Sequence, residues 1–118
     1  MTGAPLEVRL DGTVMIAALS GEIDLANADE LAAEISASVP NAALGVVVDL
    51  SGVTYLDSSG VRLIFDLSDR LRRRQQALRV VSPAGAPLRR VLELVDLGKT
   101  VPVVETVEQA SEQIVASS

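Results

Sequence analysis

The sequence predicts an α/β fold with a largely parallel β-sheet. Two observations support this prediction: a short hairpin pattern opens the chain, and segments typical of strands then alternate with segments whose apolar residues recur at helical spacing. Because strands separated by helices of about ten residues cannot form hairpins, crossovers must join them in parallel. The 118 residues suffice for one hydrophobic core, so we expect a single domain over residues 1–118.

The chain begins with two predicted strands. Leu6 to Leu10 alternates between apolar and other residues, Asp11-Gly12 marks a tight turn, and Val14 to Leu19 resumes as an apolar run. These strands should pair antiparallel. A first helix then extends to about Val39, and its apolar face is formed by Ala28, Leu31, Ala32, Ile35 and Val39.

The middle of the chain predicts a third strand and a second helix. Ala43 to Leu50 contains a run of three valines, which is typical of a central strand buried on both faces. We expect Ser51 to Asp57 to form a loop and the second helix to begin near Ser58. The apolar face of that helix comprises Val61, Ile64, Phe65, Leu67 and Leu71.

Two further strand–helix units complete the predicted order ββαβαβαβα. Ala77 to Val81 forms the fourth strand, and a third helix begins at Pro87 and ends around Gly98. The apolar face of the third helix is formed by Leu88, Val91, Leu92 and Val95. Val101 to Val104 is predicted as an edge strand because Pro102 cannot donate a hydrogen bond, and Thr106 with Gln109 should cap a fourth helix reciprocally.

The composition excludes several classes of function. The chain has no Cys and no His, which excludes disulfides, thiol catalysis and thiolate metal sites, and we expect neither a metal nor a cofactor. The net charge of −6 opposes binding to nucleic acid and to anionic lipid. The charge is uneven, since the first 60 residues carry nine acids against a single base, Arg9. Neither the spacing nor the lysine of a Walker phosphate loop is present.

Nothing in the sequence indicates insertion into a membrane. The richest apolar run, Ala42 to Val48, is far shorter than the roughly 18 to 20 residues that span a bilayer. Residues 1–5 lack the basic and apolar pattern of a signal peptide, so we expect a cytoplasmic protein. The one dense basic run, at Arg70 and at 72–74, is interpreted as a solvated helix end that complements the helix dipole, rather than as a nucleic-acid site.

The candidate site lies where the third strand leads into the second helix. Two adjacent hydroxyls, Ser58 and Ser59, stand there at a predicted helix N-terminus, beyond the carboxyl end of a buried strand, which is where open α/β sheets place functional groups. A purely structural interpretation is also open, in which Asp57 or Ser58 only caps the helix.

Two separated motifs resemble those of a known family. Asp57-Ser58-Ser59-Gly60, preceded by Val48-Asp49-Leu50 and Tyr55-Leu56, closely resembles the signature of the STAS domain of bacterial anti-sigma factor antagonists. Leu19 to Asp24 resembles the second motif of that family. The resemblance spans almost the entire chain. It implies a small mixed sheet of about five strands, with about four helices packed mainly on one face.

The resemblance also implies a phosphorylation switch. Antagonists of this family bind an anti-sigma factor that is also an ATP-dependent serine kinase, sequester it and so free a sigma factor for transcription. Phosphorylation of the antagonist breaks that complex, and a serine phosphatase is expected to restore the unphosphorylated form. By position in the motif, the phosphoacceptor here is Ser58, with Ser59 as the alternative.

The expected partner-binding surface follows from the same two motifs. It comprises Asp24, Asp57, Ser58, Ser59, Gly60 and Arg62. Arg62 departs from several family members, which have a second glycine at this position, and its charge is expected to alter the choice of partner or to screen a phosphate. On physical grounds alone, Asp24 could equally be a cap or first-turn acid of the first helix, and Asn27 with Glu30 could form that cap instead.

Two other functions remain to be compared with this one. A STAS module of a membrane transporter or another signalling complex would share the fold and need no phosphorylation. An esterase that uses Ser58 or Ser59 is disfavoured, because the chain lacks both a histidine to activate the hydroxyl and a Gly-X-Ser-X-Gly elbow.

Overall fold

The predicted order of strands and helices is confirmed in a computed structural model, which describes residues 5–118. One short 3₁₀ helix is added to that order, at Leu97–Lys99. The prediction that the first residues are not a signal peptide concerns residues 1–4, which lie outside the described residues. The strands and helices are β1 (Leu6–Asp11), β2 (Val14–Ile23), α1 (Ala28–Ser38), β3 (Gly45–Leu56), α2 (Ser58–Arg73), β4 (Ala77–Val81), α3 (Pro87–Leu94), β5 (Val103–Val104) and α4 (Val107–Ala116).

The strands form one five-stranded sheet in the spatial order β1-β2-β3-β4-β5. β1 pairs antiparallel with β2 through a turn at Gly12 and Thr13, and Gly12 adopts the positive φ of +62° that such a turn requires. The remaining pairs are parallel, as predicted for strands joined by helical crossovers. β5 lies at one edge of the sheet and β1 at the other.

The helices pack mainly on one face of the sheet. Because side chains alternate along a strand, Val46, Val48 and Leu50 of β3 join the core beneath α1, α2 and α3, whereas Val47 faces α4 on the opposite side. The larger core contains no aromatic ring that is fully buried; it is built from Leu, Ile, Val, Ala and Met. The predicted capping box of α4 is also confirmed, with both Thr106 and Gln109 making their hydrogen bonds.

The prediction of a loop over Ser51 to Asp57 is wrong, because β3 continues to Leu56. β2 likewise continues past Leu19 to Ile23, and the two extensions pair with each other. Two register shifts interrupt this part of the ladder, so that the buried residues Val53 and Leu56 lie three apart rather than two. The sequence therefore lacks the alternation of apolar and polar residues that identifies a strand, although the strand is present.

The third helix is shorter than predicted. α3 ends at Leu94 rather than around Gly98, and Asp96 then adopts a left-handed conformation with φ +54°. Leu88 and Leu92 are buried, but Val91 and Val95 are exposed, so the predicted apolar face is only half correct. No helix within residues 5–118 has the length and apolar character needed to cross a membrane.

Candidate functional site

Asp57 caps the helix that carries the candidate site. It is the first residue after β3, and its Oδ1 accepts hydrogen bonds from the backbone N–H groups of Ser59 at 2.8 Å and Gly60 at 3.2 Å. Such a cap stabilises a helix by about 0.5–2 kcal/mol, because the first N–H groups have no partner within the helix. The predicted capping role thus belongs to Asp57 and not to Ser58.

The two serines differ in exposure. Ser58 is the first residue of α2 and is exposed, whereas Ser59 is half-buried. No hydrogen bond joins the side chain of Ser58 to another group among residues 5–118, and Asp57 satisfies neighbouring N–H groups in its place. The Ser58 hydroxyl is therefore the more accessible of the two to another protein.

Gly60 lies beneath the two serines, inside the core. An added Cβ at this position would meet Leu56 at Cδ1 and Cγ, the latter at 2.8 Å, and would lie 3.2 Å from Cγ2 of Ile23. The start of α2 can therefore rest directly on the ends of β2 and β3 only because residue 60 has no side chain. Since Gly60 is buried, any contribution that it makes to partner binding would act through the position of Ser58 and Ser59.

Asp24 lies in a hydrogen-bonded turn between β2 and α1. Its Oδ1 accepts from the N–H of Ala26 at 2.9 Å, and its own N–H donates to Oδ1 of Asn27 at 3.0 Å. Asn27 also donates from Nδ2 to the carbonyl of Glu22 at 2.9 Å. The turn is thus fixed by side chains on both sides before the helix begins.

Neither of the alternatives that gave α1 a side-chain cap, Asp24 or Asn27 with Glu30, is found in the structure. Asn27 occupies the N-cap position, but its side chain makes no capping hydrogen bond because it is engaged with Asp24 and Glu22. The carboxylate of Asp24 likewise binds Ala26, which precedes the helix. Asp24 is half-buried and precedes α1. Its carboxylate therefore does not cap the helix and can contact a partner protein at the surface.

The sheet brings the two motifs together. Ile23 and Leu56 are partners in the parallel ladder of β2 and β3. Asp24 and Asp57 therefore each follow the carboxyl end of a strand, and these two ends are adjacent. The N–H of Asp57 donates to the carbonyl of Ile23 at 3.2 Å, which ties the start of α2 to the turn that contains Asp24. The sheet thus places the ends of the two motifs side by side.

Two more side chains belong to this part of the surface. Arg62 is exposed and stands four residues after Ser58 on α2, a spacing that places both on one side of the helix. Leu25, which follows Asp24, is 79% exposed. The sequence analysis did not identify Leu25. The signal that could have found it is that Leu25 is apolar but fits neither the strand period before it nor the helical period after it. We refer to Asp24, Leu25, Asp57, Ser58, Ser59 and Arg62 as the Ser58 surface.

Two arginines of the basic run at the end of α2 have local partners. Arg74 donates from Nη2 to the carbonyl of Val39 at 3.0 Å and to Oδ1 of Asn41 at 3.1 Å. Arg72 pairs with Asp69 at 3.5 Å on the exposed side of the helix. These contacts agree with the interpretation of the run as a solvated helix end.

The Ser58 surface lies apart from the two larger surface grooves. Surface grooves of about 410 Å³ and 370 Å³ lie elsewhere, the first between α3 and β5 and the second between α4 and the β1–β2 hairpin, and no residue of the Ser58 surface lines either of them. Within residues 5–118, no three acidic side chains are grouped so that they could hold a metal ion. An open surface with a rigid turn, a capped helix start and an exposed hydroxyl is suited to contact with another protein.

The family follows from comparison with known proteins. The family model of the STAS domain matches residues 5–110, which include both motifs and all of the sheet. The chain belongs to the STAS domain family. BtrV of Bordetella bronchiseptica, classed by name as an anti-sigma factor antagonist, is 33% identical over 103 residues, which are 87% of each chain.

Two solved structures show the same architecture. An anti-sigma factor antagonist from Mycobacterium paratuberculosis superposes with a TM-score of 0.81 at 30% identity, over 92% of both chains. The Bacillus cell fate determinant SpoIIAA, in its phosphorylated form, superposes with a TM-score of 0.65 at 21% identity, over 92% of this chain and 98% of the other. The STAS fold that the motifs implied is thereby confirmed.

Proposed function

We propose that this chain is an anti-sigma factor antagonist whose Ser58 surface binds an anti-sigma factor with serine kinase activity. Phosphorylation of Ser58 ends that binding, and a serine phosphatase reverses the modification. The protein acts as a binding partner and not as an enzyme, as one STAS domain over residues 1–118, in the cytoplasm. The observation that carries the proposal is the exposed Ser58 hydroxyl beside Asp57, at the carboxyl ends of β2 and β3, where Asp24 also lies.

The accessibility of Ser58 supports its assignment as phosphoacceptor. A kinase must reach the hydroxyl with its nucleotide, and Ser58 is exposed at the first position of α2 while Ser59 is half-buried. The cap of α2 is made by the Asp57 side chain on backbone N–H groups, so neither serine side chain is needed to hold the helix. The hydroxyl of Ser58 can therefore be phosphorylated while the helix stays in place.

The charges around Ser58 explain how a phosphate would act. A phosphoserine adds about −1.5 to −2 charges, and a helix N-terminus favours negative charge. Asp57, however, already accepts from the Ser59 and Gly60 N–H groups, so the phosphate would remain largely in solvent beside a carboxylate. Arg62, four residues further on, is placed to offset part of that charge.

The free-energy cost of phosphorylation is then expected at the interface with the anti-sigma factor. In the complex, the phosphate would be enclosed against the acidic nucleotide-binding site of a kinase, where like charges in contact cost several kcal/mol. The free antagonist has no such cost, because its phosphate faces water. The switch therefore changes binding and leaves the fold intact.

Leu25 is the expected apolar anchor of this interface. Burial of an exposed leucine side chain in an interface removes apolar surface from water, which favours association. Leu25 is exposed at the tip of a turn that is held by the Asp24 and Asn27 side chains, so burying it requires little ordering of the backbone.

The transporter module is the weaker alternative. It shares the fold, so the sheet and helices alone do not separate the two functions. The likeness to BtrV and to the mycobacterial antagonist, at 33% and 30% identity over nearly the full length, favours an antagonist. A transporter module would also not require an exposed serine at position 58.

The proposal is tested by phosphorylation in vitro. The purified chain is incubated with candidate anti-sigma factors of the kinase type and ATP, the gain of one phosphate is followed by intact mass, and the modified residue is located by peptide mapping. Ser58→Ala should abolish the modification and preserve both binding and stability, because the cap of α2 is supplied by Asp57 and not by the Ser58 side chain.

Ser59→Ala is the matched control, because it removes the neighbouring hydroxyl and leaves the backbone N–H that Asp57 binds. It should be phosphorylated to the same extent as the unaltered chain. If Ser58→Ala is still fully phosphorylated and Ser59→Ala is not, the acceptor is Ser59. If no kinase-type anti-sigma factor binds the chain at all, the proposed function is refuted.

A further inference from the structure

β1 forms an edge of the sheet whose outer side has no strand partner among residues 5–118. Unpaired edges normally carry features that prevent another strand from adding to them. β1 has six residues, and two of its apolar side chains are exposed, Val8 at 40% and Leu10 at 61%. We propose that β1 is a self-association surface, through which two copies of this chain pair antiparallel and join their sheets.

The hairpin geometry fixes which backbone groups of β1 point outward. In a two-residue hairpin, the flanking residues Asp11 and Val14 form a hydrogen-bonded pair, and such pairs then alternate along the ladder. The bond from the N–H of Ser20 to the carbonyl of Pro5, at 2.9 Å, confirms this alternation at the far end. Residues 5, 7, 9 and 11 therefore face β2. The N–H and C=O groups of Leu6, Val8 and Leu10 face away from it, toward the open edge.

A two-fold axis through Val8 matches those outward groups. In an antiparallel pair centred there, Val8 would bond its own copy, and Leu6 would bond Leu10 of the other chain on each side. All three outward-facing residues on both strands would then be satisfied. The apolar side chains would meet on the face that carries α1, because their β2 partners Ala17 and Met15 belong to the core on that face.

The same axis brings opposite charges together. Glu7 of one copy would stand directly opposite Arg9 of the other, twice in the dimer, at non-hydrogen-bonded positions where side chains are closest. Neither residue is in an ion pair within residues 5–118, where the pairs are Arg72 with Asp69 and Lys99 with Asp96. Arg9, the one base in the first 60 residues, is thus placed where self-pairing would use it.

Neighbouring registers lack this complementarity. An axis through Arg9 would set Arg9 against its own copy and Glu7 against Asp11, and an axis through Glu7 would oppose two glutamates. Like charges directly opposite one another destabilise a strand pair. The sequence of β1 therefore favours the register centred on Val8 over these two alternatives.

The test is self-association measured by sedimentation equilibrium over a concentration series that extends to millimolar. The unaltered chain should approach twice its monomer mass. Glu7→Lys and Arg9→Glu each make the two facing charges alike, and each should weaken self-association by about tenfold or more. An equimolar mixture of the two variants should regain it, because one strand then carries two positive side chains and the other carries two negative ones.

Matched controls separate local charge from net charge. Glu34→Lys and Arg90→Glu make the same changes in net charge at exposed positions on α1 and α3, and they should self-associate like the unaltered chain. Hydrogen exchange on the unaltered chain supplies a measurement that needs no variant. The amides of Leu6, Val8 and Leu10 should become protected as the concentration rises, whereas those of Glu7 and Arg9 are protected throughout.

Two results would overturn the proposal. One is a chain that stays monomeric at every concentration. The other is a dimer that is indifferent to both charge reversals and leaves the three outward amides unprotected, which would place its interface elsewhere. Neither result bears on the Ser58 surface, whose function is tested separately.

Discussion

The position of Gly60 gives the sharpest structural prediction about the site. Gly60→Ala adds a methyl group between the start of α2 and the strands beneath it, where the new Cβ would meet Cδ1 and Cγ of Leu56 and lie 3.2 Å from Cγ2 of Ile23. Overpacking of a buried position costs about 1–3 kcal/mol. The helix-forming preference of alanine over glycine returns at most about 1 kcal/mol. Because the new Cβ would lie only 2.8 Å from Cγ of Leu56, the upper part of the overpacking range applies, about 2–3 kcal/mol, and we expect a net loss of about 1–2 kcal/mol in the free energy of unfolding.

Urea denaturation of the variant and the unaltered chain measures this loss directly. Gly85→Ala is the matched control, because a Cβ there would meet nothing within 4 Å, and it should leave the stability almost unchanged. The displaced start of α2 should also weaken partner binding, since it carries both Asp57 and Ser58. A Gly60→Ala protein as stable as Gly85→Ala would show that α2 does not rest on β2 and β3 as described.

Four further substitutions, at the three positions Asp57, Asp24 and Ser58, probe the site. Asp57→Ala removes the cap of α2 and should lower the free energy of unfolding by about 0.5–2 kcal/mol, whereas Asp57→Asn keeps an acceptor oxygen and should lose less; urea melts of both check this. Asp24→Asn keeps the oxygen that binds the Ala26 N–H but removes the charge, so calorimetric titration should show weaker partner binding at unchanged stability; unchanged affinity would reduce Asp24 to a turn residue. Ser58→Glu should weaken partner binding by about ten- to hundredfold with a melting temperature within a few degrees of the unaltered chain, because the charge faces water in the free protein and acidic groups in the complex. A collapse of its melting temperature would instead show that the charge acts through the fold.

Most of the fold could be predicted from the sequence because its strands and helices are locally regular. Helical spacing identified α1 and α2, and the run of valines in β3 identified the buried central strand. The missed part lies where β2 and β3 extend together toward the site. Two register shifts there place Val53 and Leu56 out of the usual alternation, so only the pairing of the two extensions, which is not local, shows that they are strands.

The residues of the candidate site were named from two motifs and the family they resemble, but the contacts among these residues could not be predicted. Several short polar side chains near a helix start offer competing caps, and the sequence does not say which is used. In the structure, Asp57 caps α2, while Asn27 and Asp24 fix the turn before α1 without capping it. Leu25 and the burial of Gly60 likewise depend on how the ends of two strands meet, which only the assembled sheet defines.

The central claim is that phosphorylation of Ser58 switches partner binding while the fold is unchanged. The most direct measurement is isothermal titration of a kinase-type anti-sigma factor with the chain in its unphosphorylated form and in its form phosphorylated at Ser58, with thermal melts of each form alone. We predict an affinity lower by up to about ten-thousandfold for the phosphorylated form, the ratio that turns a nearly full complex into a nearly empty one, with similar melting temperatures. Equal affinities of the two forms would contradict the account.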